Sequence, residues 1–241
     1  MEPIKLDIKD KKILSIIDMN ARLSNSQVGK LVGLSRKSVE YRIKKMEDLK
    51  VIKRYFCKLN YVNLGYSIYK MFIRLVNIDP NLEQEIEDFS KTNNQFYWFH
   101  KYRGRFDFGI GTVVKTIQEY KEFQSTFLER FSVNIAEKSV SQAVSTNFYS
   151  HSYIHDKRDF VSYSHSTKQN KNITEIDKKI LGLLAKDCKM PIVTMAQQLK
   201  VSNSTVSSRI DKMLDNNIIL CFRTQVDFVK LGYSYYKVFI N

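Results

Sequence analysis

Residues 24–54 read SNSQVGKLVGLSRKSVEYRIKKMEDLKVIKR, and the fold turns on this stretch. Ser24 followed three places later by Gln27 is a capping box, in which each side chain satisfies a free backbone N–H of the other residue. Val28, Leu31 and Val32 then share one face at helical spacing, until Gly33-Leu34-Ser35 breaks the run. Ser35 caps a second helix whose Val39, Ile43 and Met46 recur at steps of four and three as a buried stripe. Arg36, Lys37, Tyr41 and Lys44 lie on the opposite face. Two helices joined by a short turn containing glycine, the second basic on its outside, form the helix-turn-helix pattern. A helical hairpin with a solvated charged face has the same local pattern, so the stretch alone does not separate the two.

The pattern occurs twice. A shift of 167 positions lays Asp10-Lys11-Lys12-Ile13-Leu14 on Asp177-Lys178-Lys179-Ile180-Leu181. Without a gap, Ser35 then falls on Ser202, Val39 on Val206, Arg42-Ile43 on Arg209-Ile210 and Met46 on Met213. The match continues through Leu64-Gly65-Tyr66-Ser67 on Leu231-Gly232-Tyr233-Ser234. Roughly a third of about 65 aligned positions are identical, so the chain is a tandem duplication whose unit is longer than the helix-turn-helix.

With 241 residues, 43% hydrophobic and 12% aromatic, the chain has ample material for packed cores. No apolar run approaches a membrane span, and the N-terminus is charged and lacks the apolar core of a signal peptide. These features predict a cytoplasmic protein with no membrane partner. Cys57, Cys188 and Cys221 are odd in number, far apart in sequence and outside any metal-ligand spacing, which predicts reduced structural thiols. The formal charge of +14 is uneven: residues 1–65 carry 15 Lys and Arg against 7 Asp and Glu, residues 66–150 carry 10 against 10, and residues 172–241 carry 10 against 6. The excess sits with the helix-turn-helices, a footprint suited to phosphates.

In chain order, Asp7 is expected to cap a first helix whose Ile13, Leu14 and Ile17 back the helix-turn-helix. Val51 to Leu59 reads as a strand or wing, after a helix end that would favour Gly or Asn where Leu49-Lys50 stands. From Tyr66 the apolar period changes to two. Strands at Ser67–Leu75, Gln95–Lys101, Phe106–Val114 and Ile135–Tyr149, with helices at Leu82–Ser90 and Thr116–Phe131, give the order βαββαβ of a ferredoxin-like sandwich. The expected organisation is an α+β chain: a winged helix-turn-helix over 1–65, a ferredoxin-like βαββαβ domain over 66–150, a linker over 151–171, and a second winged helix-turn-helix over 172–232. Residues 233–241 match the first strand of the βαββαβ domain. They are expected to begin an incomplete second such domain of a longer protein, or to pair with an open sheet edge. His151 and His155 are four apart, but with no third ligand in view they read as solvated linker histidines and no metal site is expected.

Residues 4–55, IKLDIKDKKILSIIDMNARLSNSQVGKLVGLSRKSVEYRIKKMEDLKVIKRY, resemble the DNA-binding domain of the leucine-responsive regulator (Lrp/AsnC) family. The βαββαβ stretch resembles that family's ligand-sensing domain, including the turn Gly104-Arg105-Phe106-Asp107, and the tandem form is similar to its double-length members. The resemblance implies a transcriptional regulator that binds double-stranded DNA, forms homodimers or larger assemblies through the sensing sheets, and takes an amino-acid effector near that turn. It implies no resident cofactor and no catalytic residue.

The residues expected to meet DNA are Ser35, Arg36, Lys37, Ser38, Tyr41, Arg42 and Lys44 of the first recognition helix, with Lys53 and Arg54 of the wing. In the second copy they are Asn203, Ser204, Thr205, Ser208 and Arg209, which carry smaller side chains and less charge. Arg42 and Arg209 adjoin buried positions and fit equally a phosphate contact or a structural pairing, for example with Glu47 or Asp48 in the first copy. For the effector, Gly104 fits a tight turn, Asp107 is a candidate partner for an α-amino group, and Arg103 and Arg105 would favour an acidic ligand. A plain hairpin turn with a surface Asp is the alternative. A second functional reading exists, since enzymes that resemble these regulators decarboxylate sirohaem-type tetrapyrroles through His and Arg on the sensing sheet. His100-Lys101-Tyr102-Arg103 has that character. The basic recognition helix and the second DNA-binding unit are not needed by such an enzyme.

Overall fold

The computed structural model describes residues 2–151, 160–164 (backbone only) and 173–239. In chain order the elements are α1 (Ile8–Met19), α2 (Asn25–Val32), α3 (Arg36–Asp48), β1 (Ile52–Leu59), β2 (Ser67–Leu75), α4 (Pro80–Thr92), β3 (Phe96–Lys101), β4 (Phe108–Val114), α5 (Ile117–Phe131), β5 (Ile135–Gln142), β6 (Ser145–Tyr149), β7 (Phe160–Ser164), α6 (Glu175–Lys186), α7 (Ile192–Leu199), α8 (Asn203–Asp215) and β8 (Ile219–Val226). The chain divides into two compact units, one of residues 1–60, 147–161 and 173–241, the other of residues 61–146 and 162–172.

The first unit holds both helix-turn-helices. Asp7 and Thr174 cap α1 and α6 through capping boxes with Asp10 and Asp177, Ser24 and Gln27 do the same for α2, and Ser35 and Ser202 cap α3 and α8. Ile13, Leu14, Ile17, Val28, Val39 and Met46 form the first core, and Ile180, Leu184, Met195, Val206 and Met213 are buried at matching positions of the second. Each wing is a single strand, and the two wings pair with each other: β1 and β8 form an antiparallel two-stranded ribbon. The first helix of each copy leans on the other copy's strand, α1 on β8 and α6 on β1. Val226 of β8 thereby joins the first copy's core, and the Thr224 hydroxyl donates to the Ile17 carbonyl at 2.7 Å.

The second unit is the βαββαβ sandwich, a four-stranded antiparallel sheet in the order β3-β4-β2-β5 with α4 and α5 packed on one face. Met71, Ile73, Phe108 and Ile110 meet Ile86, Phe123 and Phe127 in its core. On the other face Gly109 and Gly111 leave room for Trp98, Tyr102 and Tyr97, whose rings would lie within 2.7 Å of an added Cβ.

Three expectations need correction. Residues 135–149 are two strands rather than one, because the chain leaves the sheet at Ala143-Val144. The linker contains a strand, since β7 gives β6 a backbone partner within 151–171; the polar composition hid a pairing set by backbone groups. Residues 152–159 and 165–172, including His155, lie outside the described residues. Tyr233–Phe239 forms no strand among the described residues, and Tyr235 packs its ring on Phe228 at 5.8 Å. An alternating pattern becomes a strand only beside a partner edge.

Candidate nucleic-acid interface and sensing turn

Capping by Ser35 fixes where α3 starts, so Arg36 and Lys37 stand in its first turn, exposed, and no carboxylate engages either one among the described residues. Tyr41 is 71% exposed one turn on, and Lys44 lies beyond it with Asp48 at 3.5 Å. Ser38 gives its N–H to the Ser35 hydroxyl. The matched face of α8 presents Asn203, Ser204 and Ser208 to solvent, while Thr205 gives its N–H to the Ser202 cap.

Arg42 does not reach Glu47 or Asp48. Its Nη1 donates to Asp7 Oδ2 and Asp10 Oδ1, both at 2.6 Å, tying the recognition helix to the N-terminal cap of α1. These bonds raise the Arg42 pKa, and Arg42 holds the Asp7 carboxyl below its ordinary value. Arg209 repeats the brace, with Thr174 Oγ1 at 3.3 Å and Asp177 Oδ2 at 3.4 Å. Glu47 instead accepts from the Tyr55 hydroxyl at 2.6 Å.

The wing cations are drawn into the ribbon. Lys53 pairs with Asp227 at 2.9 Å, Arg54 donates to Gln225 Oε1 at 2.6 Å, and Lys58 sits 3.9 Å above the Phe148 ring. Sequence spacing also missed a buried ion cluster behind the ribbon. The Asp18 carboxylate, fully buried, meets Arg223 Nη2 at 2.7 Å and His151 Nδ1 at 2.8 Å, and accepts the His151 backbone N–H at 2.8 Å. Burial pushes the Asp18 pKa up, but His151 and Arg223 outweigh it and the net value is lowered. The three thiols, distant in sequence, are close enough here to influence one another. Burial first, then the neighbouring sulfurs, raise Cys57; burial, then Asp187, push Cys188 up to about 12, so both stay protonated thiols. No group of three or more His, Cys, Asp or Glu side chains is placed to hold a metal among the described residues.

In the sandwich, Gly104 has φ +149° and open space around it, so the turn suits glycine for its backbone. Asp107 Oδ2 accepts the Leu75 N–H at 2.8 Å, its N–H donates to Ile73, and its carbonyl accepts from Tyr102 at 2.6 Å, so Asp107 straps the turn to β2. Arg105 pairs with Glu137 at 2.7 Å, and Arg103 is exposed.

Two helix-turn-helix units with exposed polar recognition helices, in a chain that also carries a ferredoxin-like sandwich, define a DNA-binding protein of the helix-turn-helix class. Residues 6–47 and 173–214 each match the AsnC-type helix-turn-helix domain. The chain thus carries two AsnC-type helix-turn-helix domains and is similar in them to transcriptional regulators of the Lrp/AsnC family. It is 32% identical over 82 residues to the transcriptional regulator LrpA of Pyrococcus abyssi, a span of 34% of this chain and 55% of that protein. Among solved structures it resembles an AsnC family transcriptional regulator from Agrobacterium tumefaciens (TM-score 0.53, 24% identity, 61% of this chain and 95% of that one). It also resembles the siroheme decarboxylase NirDL (TM-score 0.59, 15% identity, 90% of this chain and 65% of that one), a likeness of fold alone.

Proposed function

We propose that this chain is a sequence-specific, double-stranded-DNA-binding regulator of transcription, acting in the cytoplasm, in which the first recognition helix supplies most of the affinity. The observation that carries the reading is the exposed Arg36-Lys37 pair in the first turn of a capped helix, left unneutralised by neighbouring carboxylates. Such cations displace counterions from phosphates, and an Arg there reaches the O6 and N7 acceptors of guanine. Fluorescence anisotropy on a random-sequence duplex tests it: binding should weaken steeply with salt, and Arg36→Ala with Lys37→Ala should flatten that slope by about two. Unchanged binding by that double variant, together with loss of binding in the surface variant Asn203→Ala with Ser204→Ala, would reverse the assignment. The turn from Arg103 to Asp107 is our candidate for an amino-acid effector site, and the sandwich for homodimerisation. With Asp107 Oδ2 already accepting from Leu75, its second carboxylate oxygen is the group offered to an α-amino nitrogen. A thermal-shift panel of the amino acids should raise the melting temperature with at least one, and a flat panel would leave the turn a purely structural role. We read the chain as a binding protein rather than an enzyme, because a tetrapyrrole decarboxylase built on His100 and Arg103 has only the shared fold in its favour. Titration with an iron tetrapyrrole should leave its absorbance spectrum unshifted; a shift would restore the enzyme reading.

A further inference from the structure

The ribbon between the wings is symmetric under the duplication itself. Tyr55 pairs with Thr224 and Cys57 with Phe222; adding 167 to one member and subtracting it from the other turns each pair into the other. Arg54 with Gln225 and Lys58 with Cys221 are related in the same way, and Phe56 opposite Arg223 is its own image, so the pair marks a local two-fold axis. Even the irregular ends obey the rule, Ile52 with Val226 mapping onto Leu59 with Ile219. The bonds that close the ribbon are images as well: Asn60 donates to the Ile218 carbonyl at 2.9 Å and Asp227 to the Val51 carbonyl at 2.8 Å.

Each recognition helix is fixed to this ribbon by equivalent bonds. The Val51 N–H donates to the Met46 carbonyl at 2.9 Å, and the Ile218 N–H to the Met213 carbonyl at 2.8 Å. A symmetric ribbon with each helix attached in the same way relates α3 to α8 by that same axis, within one chain. Two recognition helices about a two-fold axis are the arrangement that engages two half-sites of opposite orientation on DNA, which helix-turn-helix proteins otherwise obtain by pairing two copies. Here the reading faces differ: Arg36, Lys37 and Ser38 stand where Asn203, Ser204 and Thr205 stand in the second copy, and Tyr41 and Lys44 where Ser208 and Asp211 do.

We propose that a single chain binds an inverted pair of dissimilar half-sites, α3 on a guanine-containing half and α8 on a half in which Asn203 meets adenine. This rests on the DNA-binding reading above. The backbone frame sets orientation and spacing symmetrically, whereas the side chains read asymmetrically, so the operator has two-fold geometry without two-fold sequence.

The test is selection of bound duplexes from a random pool by the full-length chain at low salt, followed by measurement of chain equivalents per selected site. Two unlike half-sites in inverted orientation, one chain per pair, is the expected result. Two like half-sites, one half-site alone, or two chains per pair would overturn the proposal while leaving the regulator reading intact. Failure to enrich any sequence would instead remove that reading. As a second arm, the surface triple variant Asn203→Arg, Ser204→Lys, Thr205→Ser copies the first turn of the α3 reading face onto α8. It should change the α8 half-site toward the α3 half-site and steepen the salt slope by about two; an unchanged selected site would contradict the use of α8.

Discussion

Arg42 and Arg209 stand at matched positions of the two copies and do the same work, each reaching back to the N-terminal cap of its copy's first helix. One residue earlier, Tyr41 and Ser208 match in position and in nothing else. The same contrast runs throughout the pair. The N-terminal caps of the first and recognition helices, the core positions and the bonds into the ribbon are kept between copies, although Pro191 stands where Ser24 caps α2, and the outward faces of α3 and α8 have diverged. A brace or a core side chain has partners that punish change, because a buried group left unpaired costs more than the bond was worth. An exposed side chain has no such partner inside the protein, so only what it touches outside constrains it. The difference therefore separates frame from reading surface without any ligand in view.

The sharpest way to break the comparison is at the axis, where the copies are least alike. Arg223 is buried against Asp18, while Phe56 occupies its image and Ala185 the image of Asp18. Asp18→Ala should cost about 3–5 kcal/mol in urea unfolding, because it strands a buried guanidinium. The double change Asp18→Ala with Arg223→Phe should cost clearly less than Asp18→Ala alone, since it removes both charges and restores two like residues at the axis. Additive costs would show the cluster to be two independent contacts. The pH dependence has a definite sign. The lowered Asp18 pKa gives stability that is complete above the ordinary value of 3.8 and is lost as pH falls below it through the folded value. The acid arm of unfolding in Asp18→Ala should be correspondingly shallower, as read by far-ultraviolet circular dichroism, since the one tryptophan, Trp98, lies in the other unit.

Next in size is the reading face. Arg36→Ala should lose about 1–3 kcal/mol of binding and relax the preferred sequence at one position, measured by anisotropy on matched and altered duplexes. Lys53→Ala should weaken all sequences alike and lower the salt slope by less than one, because Asp227 already neutralises much of that charge.

The smallest effects come from the helix ends. Lys50 and Asn217 are images with φ of 57° and 52°, and Gly33 and Lys200 are images with φ of 67° and 56°. Lysine is strained in that region where glycine and asparagine are at ease. Lys200→Gly and Lys50→Asn should each stabilise the chain by about 0.5–1 kcal/mol in thermal unfolding, bringing each copy to the choice its counterpart has already made.

Much of this was legible in the residues. The 167-residue shift, the serine caps and the stripes of Val39, Ile43 and Met46 place the helices, since helical periodicity and capping act over a few neighbours. The strand order βαββαβ follows from the change of period after Tyr66. What the sequence did not reveal is which partner an edge or a charge chooses across long separations. Val51 to Leu59 reads as a strand but carries no mark of β8 as its mate, 160 residues away. Arg42 has carboxylates at Glu47 and Asp48 nearby, yet takes Asp7 and Asp10, which the packing of α1 against α3 brings to it. Asp18, His151 and Arg223 meet for the same reason. The reading of Asp107 as a partner for an amino group overlooked its bond to Leu75, which exists only once β2 lies beside the turn.

The central claim, that the two helix-turn-helices are clasped within one chain by β1 and β8, is tested most directly by hydrogen exchange along Ile52–Leu59 and Ile219–Val226 in dilute protein. Slow exchange in both strands, unchanged as the protein is diluted, is what the ribbon requires. Rapid exchange in β8, or protection that fades on dilution, would show that the strands are free or pair only between chains, and would contradict the account.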